Sequence, residues 1–257
     1  MCATRFIDLS TPMANGANEP RPPDIYYMDH KEFGAKTAAG WGIKPEELHD
    51  GVGSQAEFIK VSTHSATHMD APLHYGPTVA GKPARAIDQV PLEWCFADGV
   101  VLDLRHKKTG DYITVQDIEA CLKKIGYKIK AGDIVLLWTG TDEKRSDPNY
   151  PELHPGMSIE ATEYLLDRGV RIIGIDAFGY DRPFSFQIPE FKAGNRRALM
   201  PCHHILGRQR EYLQIEQMSN LGMIPRPHGF KVACFPINVE RASGAWVRPV
   251  AIVEDRK

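Results

Sequence analysis

Short runs rich in Val and Ile recur along the chain, and most are bounded by Gly, Pro or Asp. Runs of four to eight such residues between turn-forming residues are typical of β-strands. The pattern predicts strands over residues 5–9, 56–62, 100–104, 133–138, 170–175, 212–215, 231–236 and 248–253.

Two other segments place apolar residues at helical spacing. Residues 114–125 open on Thr114 with Asp117 three positions later, which is close to a capping box. Residues 158–168 begin at Ser158, a favoured N-cap residue. Because the second helix lies between two predicted strands, the order of elements predicts a parallel β-α-β unit.

Two long stretches, residues 11–55 and 177–200, are rich in Pro and aromatic residues, and we predict them to be irregular. Loops of this length in a compact domain are often functional. The last third of the chain returns to strands, so the strict alternation of a doubly wound fold is not met. We expect one α/β domain over residues 1–257, with a mixed sheet or partial barrel and helices on one side.

The charge balance excludes several classes of partner. The net charge is -2, so no basic field is present to attract nucleic acid or an anionic membrane. No apolar run approaches the roughly 20 residues that span a bilayer. The first residues lack the apolar core of a signal peptide, and we expect a cytoplasmic location.

The cysteines are scattered and include no CxxC pair, which argues against a disulfide framework and a thiolate zinc site. We predict buried free thiols at these positions: Cys2, Cys95, Cys121, Cys202 and Cys234.

Three histidines and one aspartate fall within eleven residues. His64, His68, Asp70 and His74 are separated by even gaps, so an extended chain would turn all four side chains to one face. On a helix, Asp70 would lie about 240° round from His64, and Pro72 would stop the helix. We therefore place the run at the end of the second predicted strand and in the turn that follows.

These residue types are the usual ligands of zinc and manganese. His64, His68 and Asp70 supply three ligands and leave a position for water, as a catalytic metal site requires. Scattered surface histidines are the alternative interpretation, but their density in this segment disfavours it.

A second cluster is Cys202-His203-His204. Glu216 follows His204 by twelve residues, at the end of a predicted short strand. His204 and Glu216 could complete a second metal site in which Asp70 bridges two ions, an arrangement that clamps a water and polarises a carbonyl. Spacing alone leaves open that neither residue binds metal.

The segment His64-Ser-Ala-Thr-His68-Met-Asp70-Ala-Pro72-Leu-His74 resembles the HxGTHxDxPxH signature of the bacterial kynurenine formamidase and cyclase family, which includes isatin hydrolases. The resemblance extends over most of the chain, through segments around residues 6–10, 154–158, 174–176, 203–206 and 236–248. Two features depart from the family pattern: Ala66 stands at the glycine of the signature, and the chain is longer than the compact formamidases.

The resemblance implies a swivelling β/β/α fold, a homodimer or homotetramer, and one or two zinc or manganese ions per chain. It implies a first metal held by His64, His68 and Asp70, a second held by Asp70, His204 and Glu216, and His74 as the catalytic acid/base. Glu216 favours the two-metal arrangement of the formamidases over that of the isatin hydrolases.

The leading hypothesis is a hydrolase that cleaves the carbonyl of an aryl formamide, a cyclic amide such as isatin, or a lactone. A small aromatic or cyclic substrate would stack on aromatic side chains of the two long loops. Two alternatives stay open: a cyclase, dehydratase or oxygenase that uses the same ligands, and a binding protein that the metal only stabilises.

Overall fold

The computed structural model describes residues 3–254, so the predicted free thiol at Cys2 lies outside the described residues. The chain forms two compact units: a small unit of residues 13–62, and a large unit formed by the chain before and after it. The sequence-based expectation of a single domain over residues 1–257 stays a prediction. The other four cysteines are buried free thiols, as expected.

The strands are β1 (Thr4–Asp8), β2 (Asp24–Met28), β3 (Ala56–Lys60), β4 (His68–Asp70), β5 (Thr78–Val79), β6 (Lys82–Pro83), β7 (Phe96–Asp103), β8 (Tyr112–Ile113), β9 (Ile134–Trp138), β10 (Gly156–Met157), β11 (Ile172–Ile175), β12 (Leu213–Glu216), β13 (His228–Ala233), β14 (Gly244–Trp246) and β15 (Val250–Glu254). The helices are α1 (His30–Trp41), α2 (Pro72–Tyr75), α3 (Val115–Ile125), α4 (Ile159–Leu166) and α5 (Phe184–Lys192). A π-helical turn spans Pro201–Leu206. In the described part of the chain, no helix is long and apolar enough to cross a membrane.

A mixed sheet organises the large unit. Within residues 3–254 its nine strands run in the order β1-β15-β13-β7-β9-β11-β12-β4-β14. The central strands β7, β9, β11 and β12 are parallel, and the flanking pairs are antiparallel. This arrangement confirms the predicted mixed α/β class, including the parallel pair β9 and β11 joined through α4.

Strand β9 shows how the sheet separates two hydrophobic cores. Val135 and Leu137 join the core that contains the apolar faces of α3 and α4. Ile134 and Leu136 point to the opposite face, which short turns and loops cover rather than these helices. A strand that is buried on both faces reads as a continuous apolar run. The expectation of helices on one side of the sheet is therefore confirmed for α3 and α4.

Helix α3 begins as its sequence predicts. The Thr114 hydroxyl accepts a hydrogen bond from Asp117 N at 3.3 Å, and Asp117 Oδ2 accepts one from Thr114 N at 2.8 Å. This reciprocal pair is the capping box, and it satisfies two backbone donors that the first turn leaves open.

The two stretches predicted to be irregular contain regular elements that the pattern did not indicate. In the small unit, β2 pairs with β3 and α1 follows β2, while α5 lies inside residues 177–200. Helix α1 buries only Gly34 and Ala38, and α5 leaves Phe184 and Ile188 exposed while burying Gln187. Neither helix therefore has the apolar stripe that helical spacing detects.

The sequence places the run from His64 to His74 at the end of the second predicted strand and in the turn that follows. The run does begin in such a turn, but residues 68–70 form a separate strand, β4. Residues 63–67 form a turn, and Pro72 begins α2, where its fixed φ suits the first helical position. Ala66 has φ 53°, in the left-handed region that favours glycine. A glycine, which the related signature has at this position, would adopt this conformation without the strain that a Cβ adds.

Because a left-handed conformation is strained for an L-residue with a Cβ, we expect Ala66→Gly to raise the free energy of unfolding by up to about 1 kcal/mol. The matched control is Ala71→Gly, a buried position with φ -89°, which should lower the free energy by about 1 kcal/mol. Urea denaturation measures both. Equal losses in the two variants would contradict strain at Ala66.

Candidate metal centre

The centre lies where β4 pairs with β12. The antiparallel register sets His68 opposite Glu216 and Asp70 opposite Gln214. Since alternate residues of a strand share a face, His68, Asp70 and Glu216 all project to the same side of the sheet. The prediction that His68 and Asp70 face one way is confirmed for these two residues.

The other side chains reach this point from separate elements. His64 comes from the turn before β4, His74 from α2, and His203 from the π-helical turn. We call these three residues with His68, Asp70 and Glu216 the cluster. The 64–74 segment, His203 and Glu216 therefore contribute to one largely buried group.

Asp70 is the centre of the cluster. Its Oδ1 lies 2.7 Å from His64 Nδ1 and 3.3 Å from His68 Nε2. Its Oδ2 lies 3.5 Å from His203 Nε2. Glu216 completes the group, with Oε2 3.6 Å from His68 Nε2 and Oε1 3.6 Å from His203 Nε2.

The structure brings His203 into the cluster and leaves out His204, which spacing had favoured. His203 is 4% exposed, whereas the adjacent His204 is on the surface. Consecutive residues of a helical turn point in different directions, so only one of the two imidazoles can face Glu216. The spacing of twelve residues therefore pointed to the right turn, and of its two adjacent histidines the structure brings His203 into the cluster.

Burial and charge act against each other in the cluster. Burial lowers the pKa of His68, but the charges of Asp70 and Glu216 outweigh it and raise that pKa to about 9. Burial also opposes the charged form of His203, yet its hydrogen bond to Asp181 and the nearby carboxylates of Asp70 and Glu216 raise its pKa well above the usual range. The carboxylates thus give this buried site a strong preference for bound positive charge.

The pKa values of Glu216 and His74 shift in the directions that favour the neutral form of each group. Burial and the nearby charge of Asp70 raise the pKa of Glu216. Burial, together with the neighbouring imidazoles, lowers the pKa of His74 to about 4 although Asp70 opposes the shift. His74 is therefore a neutral imidazole at pH 7, and its ring stacks on that of His64 with centroids 4.0 Å apart.

A divalent cation fits this donor set. The donor atoms of His64, Asp70 and His74 lie within 4.8 Å of one another, as do those of His68, Asp70 and Glu216. Asp70 Oδ2 is buried and has no hydrogen-bond partner among the described residues. An unpaired buried carboxylate oxygen is costly unless a cation pairs with it. Imidazole nitrogen with carboxylate oxygen is the chemistry of zinc and manganese sites.

Groups outside the cluster orient its members. His68 Nδ1 donates to Ala66 O at 2.9 Å, which leaves Nε2 to face the carboxylates. His64 Nε2 lies 3.0 Å from the Ser243 hydroxyl. Sequence reasoning had no signal for Ser243, which lies far along the chain.

The loop after β11 also contacts the cluster. Tyr180 N donates to Glu216 Oε1 at 2.8 Å, and Asp181 Oδ2 accepts from His203 Nδ1 at 2.7 Å. In the sequence, Asp176 and Asp181 flank an aromatic loop, where they could orient ligands or substrate, although capping of a helix or turn is the favoured interpretation.

Comparisons with known proteins agree with this architecture. Residues 7–182 match the profile of the family described as "Putative cyclase", and they make up more than half of the chain. An isatin hydrolase from Roseibium aggregatum is 25% identical over 207 residues, covering 76% of this chain and 74% of the relative. A kynurenine formamidase from Geobacillus thermodenitrificans is 29% identical over 192 residues, covering 74% of this chain and 76% of the relative.

The fold is also found in a solved structure. The crystal structure of an isatin hydrolase bound to the product analogue thioisatinate superposes with a TM-score of 0.76 at 20% identity, covering 98% of this chain and 93% of that chain. The mixed sheet with its flanking helices is thus shared with a protein of low sequence identity. With the profile match over residues 7–182, these findings establish that the chain belongs to the family described as "Putative cyclase".

Proposed function

We propose that this protein is a metal-dependent hydrolase that cleaves the carbonyl–nitrogen bond of a small aromatic or cyclic amide. The observation that carries the proposal is the cluster: two groups of ligating atoms that share Asp70, one of whose buried oxygens lacks a hydrogen-bond partner. The names of the relatives, kynurenine formamidase and isatin hydrolase, support the same chemistry.

The family resemblance, rather than the composition of these two groups, leads us to assign one cation to His64, His68 and Asp70, and a second to Asp70, His203 and Glu216. His203 takes the place of His204 because its Nε2 faces Asp70 and Glu216. A cation bound there would lower the pKa of a bound water towards about 7 and polarise the substrate carbonyl. Zinc and manganese both suit these ligands. Asp70 would hold both ions in place, which accounts for its central position and complete burial.

His74 is the proposed acid/base. Its neutral imidazole can accept a proton from the attacking water and return it to the leaving nitrogen. The ring is held between the rings of His64 and His203, with centroids at 4.0 and 5.7 Å. This packing would fix the direction of proton transfer.

A purely structural metal site is less well supported. Such sites are usually closed by four ligands that include thiolates. The nearest cysteine in sequence is Cys202, whose S–H group donates a hydrogen bond to Met157 O at 3.4 Å and whose sulfur lies 3.5 Å from the Thr162 hydroxyl. The expected homodimer or homotetramer and the cytoplasmic location stay predictions.

We expect His74→Ala to lower kcat/KM about 10²–10⁴-fold on whichever substrate of an aryl formamide, isatin and lactone panel the wild type hydrolyses, because the general base is lost. Metal content should stay at the wild-type value. The exposed His106 provides a matched control, since His106→Ala should leave both quantities unchanged. Full activity in the His74 variant, or loss of its metal, would contradict the acid/base assignment.

We expect a metal-to-chain ratio near two for the wild type and near one for His203→Ala, whereas His204→Ala should match the wild type. Elemental analysis after dialysis measures all three proteins. The two variants are closely matched, because they remove the same side chain at adjacent positions and only His203 faces Asp70 and Glu216. A ratio that falls in the His204 variant alone would restore the assignment based on spacing, and a wild type without metal would refute the proposed function.

A further inference from the structure

Asp181 holds the π-helical turn that carries His203. It lies in the loop after β11, is 4% exposed, and accepts hydrogen bonds from three N–H groups of that turn. Oδ1 accepts from Cys202 N at 2.8 Å, and Oδ2 accepts from His203 N at 3.2 Å and His203 Nδ1 at 2.7 Å. One carboxylate therefore caps the turn and contacts the imidazole that the turn presents.

The contact with the ring determines which nitrogen can bind a cation. An ionised carboxylate accepts hydrogen bonds only, so the proton on His203 Nδ1 is held towards Asp181. Nε2, which lies 3.5 Å from Asp70 and 3.6 Å from Glu216, is then the nitrogen that can exchange its proton for a cation. Partners of this kind fix the tautomer of ligating histidines and increase their basicity.

The position of Asp181 is itself constrained by Gly156. A Cβ at Gly156 would lie 2.1 Å from Arg182 N and 2.4 Å from the carbonyl carbon of Asp181, too close for any side chain. Met157 N also donates to Tyr180 O at 2.8 Å. Strand β10 therefore packs directly on the backbone of residues 180–182. In this position Tyr180 N contacts Glu216 and Asp181 contacts His203.

We propose that Asp181 is a positioning residue that makes His203, rather than His204, the imidazole of the second metal site. Asp181 acts by keeping the proton of His203 on Nδ1 and by capping the turn in the orientation that leaves His204 outside. The inference rests on the proposed metal function and goes beyond it, because both oxygens of Asp181 are engaged by the turn that carries the proposed ligand.

Asp181→Asn tests the proposal with little change in size. The amide has only one acceptor oxygen, so its NH₂ group must face either Cys202 N–H or the His203 ring. A ring that faces NH₂ favours the tautomer with its proton on Nε2, which blocks the metal-binding nitrogen. We expect the affinity for the more weakly held Zn²⁺ or Mn²⁺ to fall about 10–100-fold, measured on metal-free protein by competition with a chromogenic chelator.

Asp176→Asn is the matched control. Asp176 is also buried at the end of β11, and it also accepts three hydrogen bonds, from Thr139 N, Thr139 Oγ1 and Gly140 N. None of these partners belongs to the cluster. The control should therefore keep wild-type metal affinity even where its melting temperature falls.

Two further variants separate positioning from folding. Asp181→Ser retains a short acceptor for the Cys202 N–H but removes the partner of His203 Nδ1. This variant should keep the cap of the turn and show the same loss of metal affinity as Asp181→Asn. In a His203→Ala background, Asp181→Asn should have no further effect on metal affinity, because the ring through which it acts is absent.

Wild-type metal affinity in both Asp181 variants would overturn the proposal. An equal loss of metal affinity on Asp181→Asn in the wild-type and His203→Ala backgrounds would overturn it as well. If the wild type binds no Zn²⁺ or Mn²⁺, the proposed function fails as well. If the wild type binds metal and the Asp181 variants match it, only the positioning role is lost.

Discussion

The attraction between two buried carboxylates and a set of imidazoles is the interaction on which this site depends. Asp70 is completely buried and Glu216 nearly so, and they lie on neighbouring strands with their side chains on one face. Burying two negative charges together is costly unless positive charge compensates them. The two carboxylates therefore raise the pKa values of His68 and His203. A divalent cation bound to the same nitrogen and oxygen atoms would supply the compensating positive charge in place of the protons.

The sheet makes this arrangement possible. Glu216 ends a parallel strand, and the loop after the adjacent parallel strand supplies Tyr180 and Asp181, so the orienting groups come from one end of the sheet. The ends of parallel strands are a frequent place for binding sites in α/β proteins. The antiparallel strand β4 then adds His68 and Asp70 across from Glu216. Rigid strands hold the carboxylates, while turns and short helices bring the remaining imidazoles.

Local sequence patterns predicted the parts of the fold whose own residues determine them. The apolar runs of β7, β9 and β11, and the Thr114 capping box of α3, are recognisable without tertiary information. Helices α1 and α5 were missed because their apolar residues do not form one buried stripe.

The site was predictable only where sequence neighbours are also neighbours in space. The 64–74 segment identified four cluster members, although only residues 68–70 are extended. The choice between His203 and His204 depends on how a π-helical turn is oriented by Asp181, a residue 22 positions away from His203. Glu216 and His203 also lie beyond the residues that match the family profile.

A crystal structure of metal-loaded protein, with anomalous data at the absorption edge of the bound element, tests the central claim most directly. We expect anomalous peaks about 2.0–2.2 Å from Asp70 oxygens and from the Nε2 atoms of His68 and His203. A map without a peak near Asp70, or with the metal held elsewhere on the chain, would contradict it.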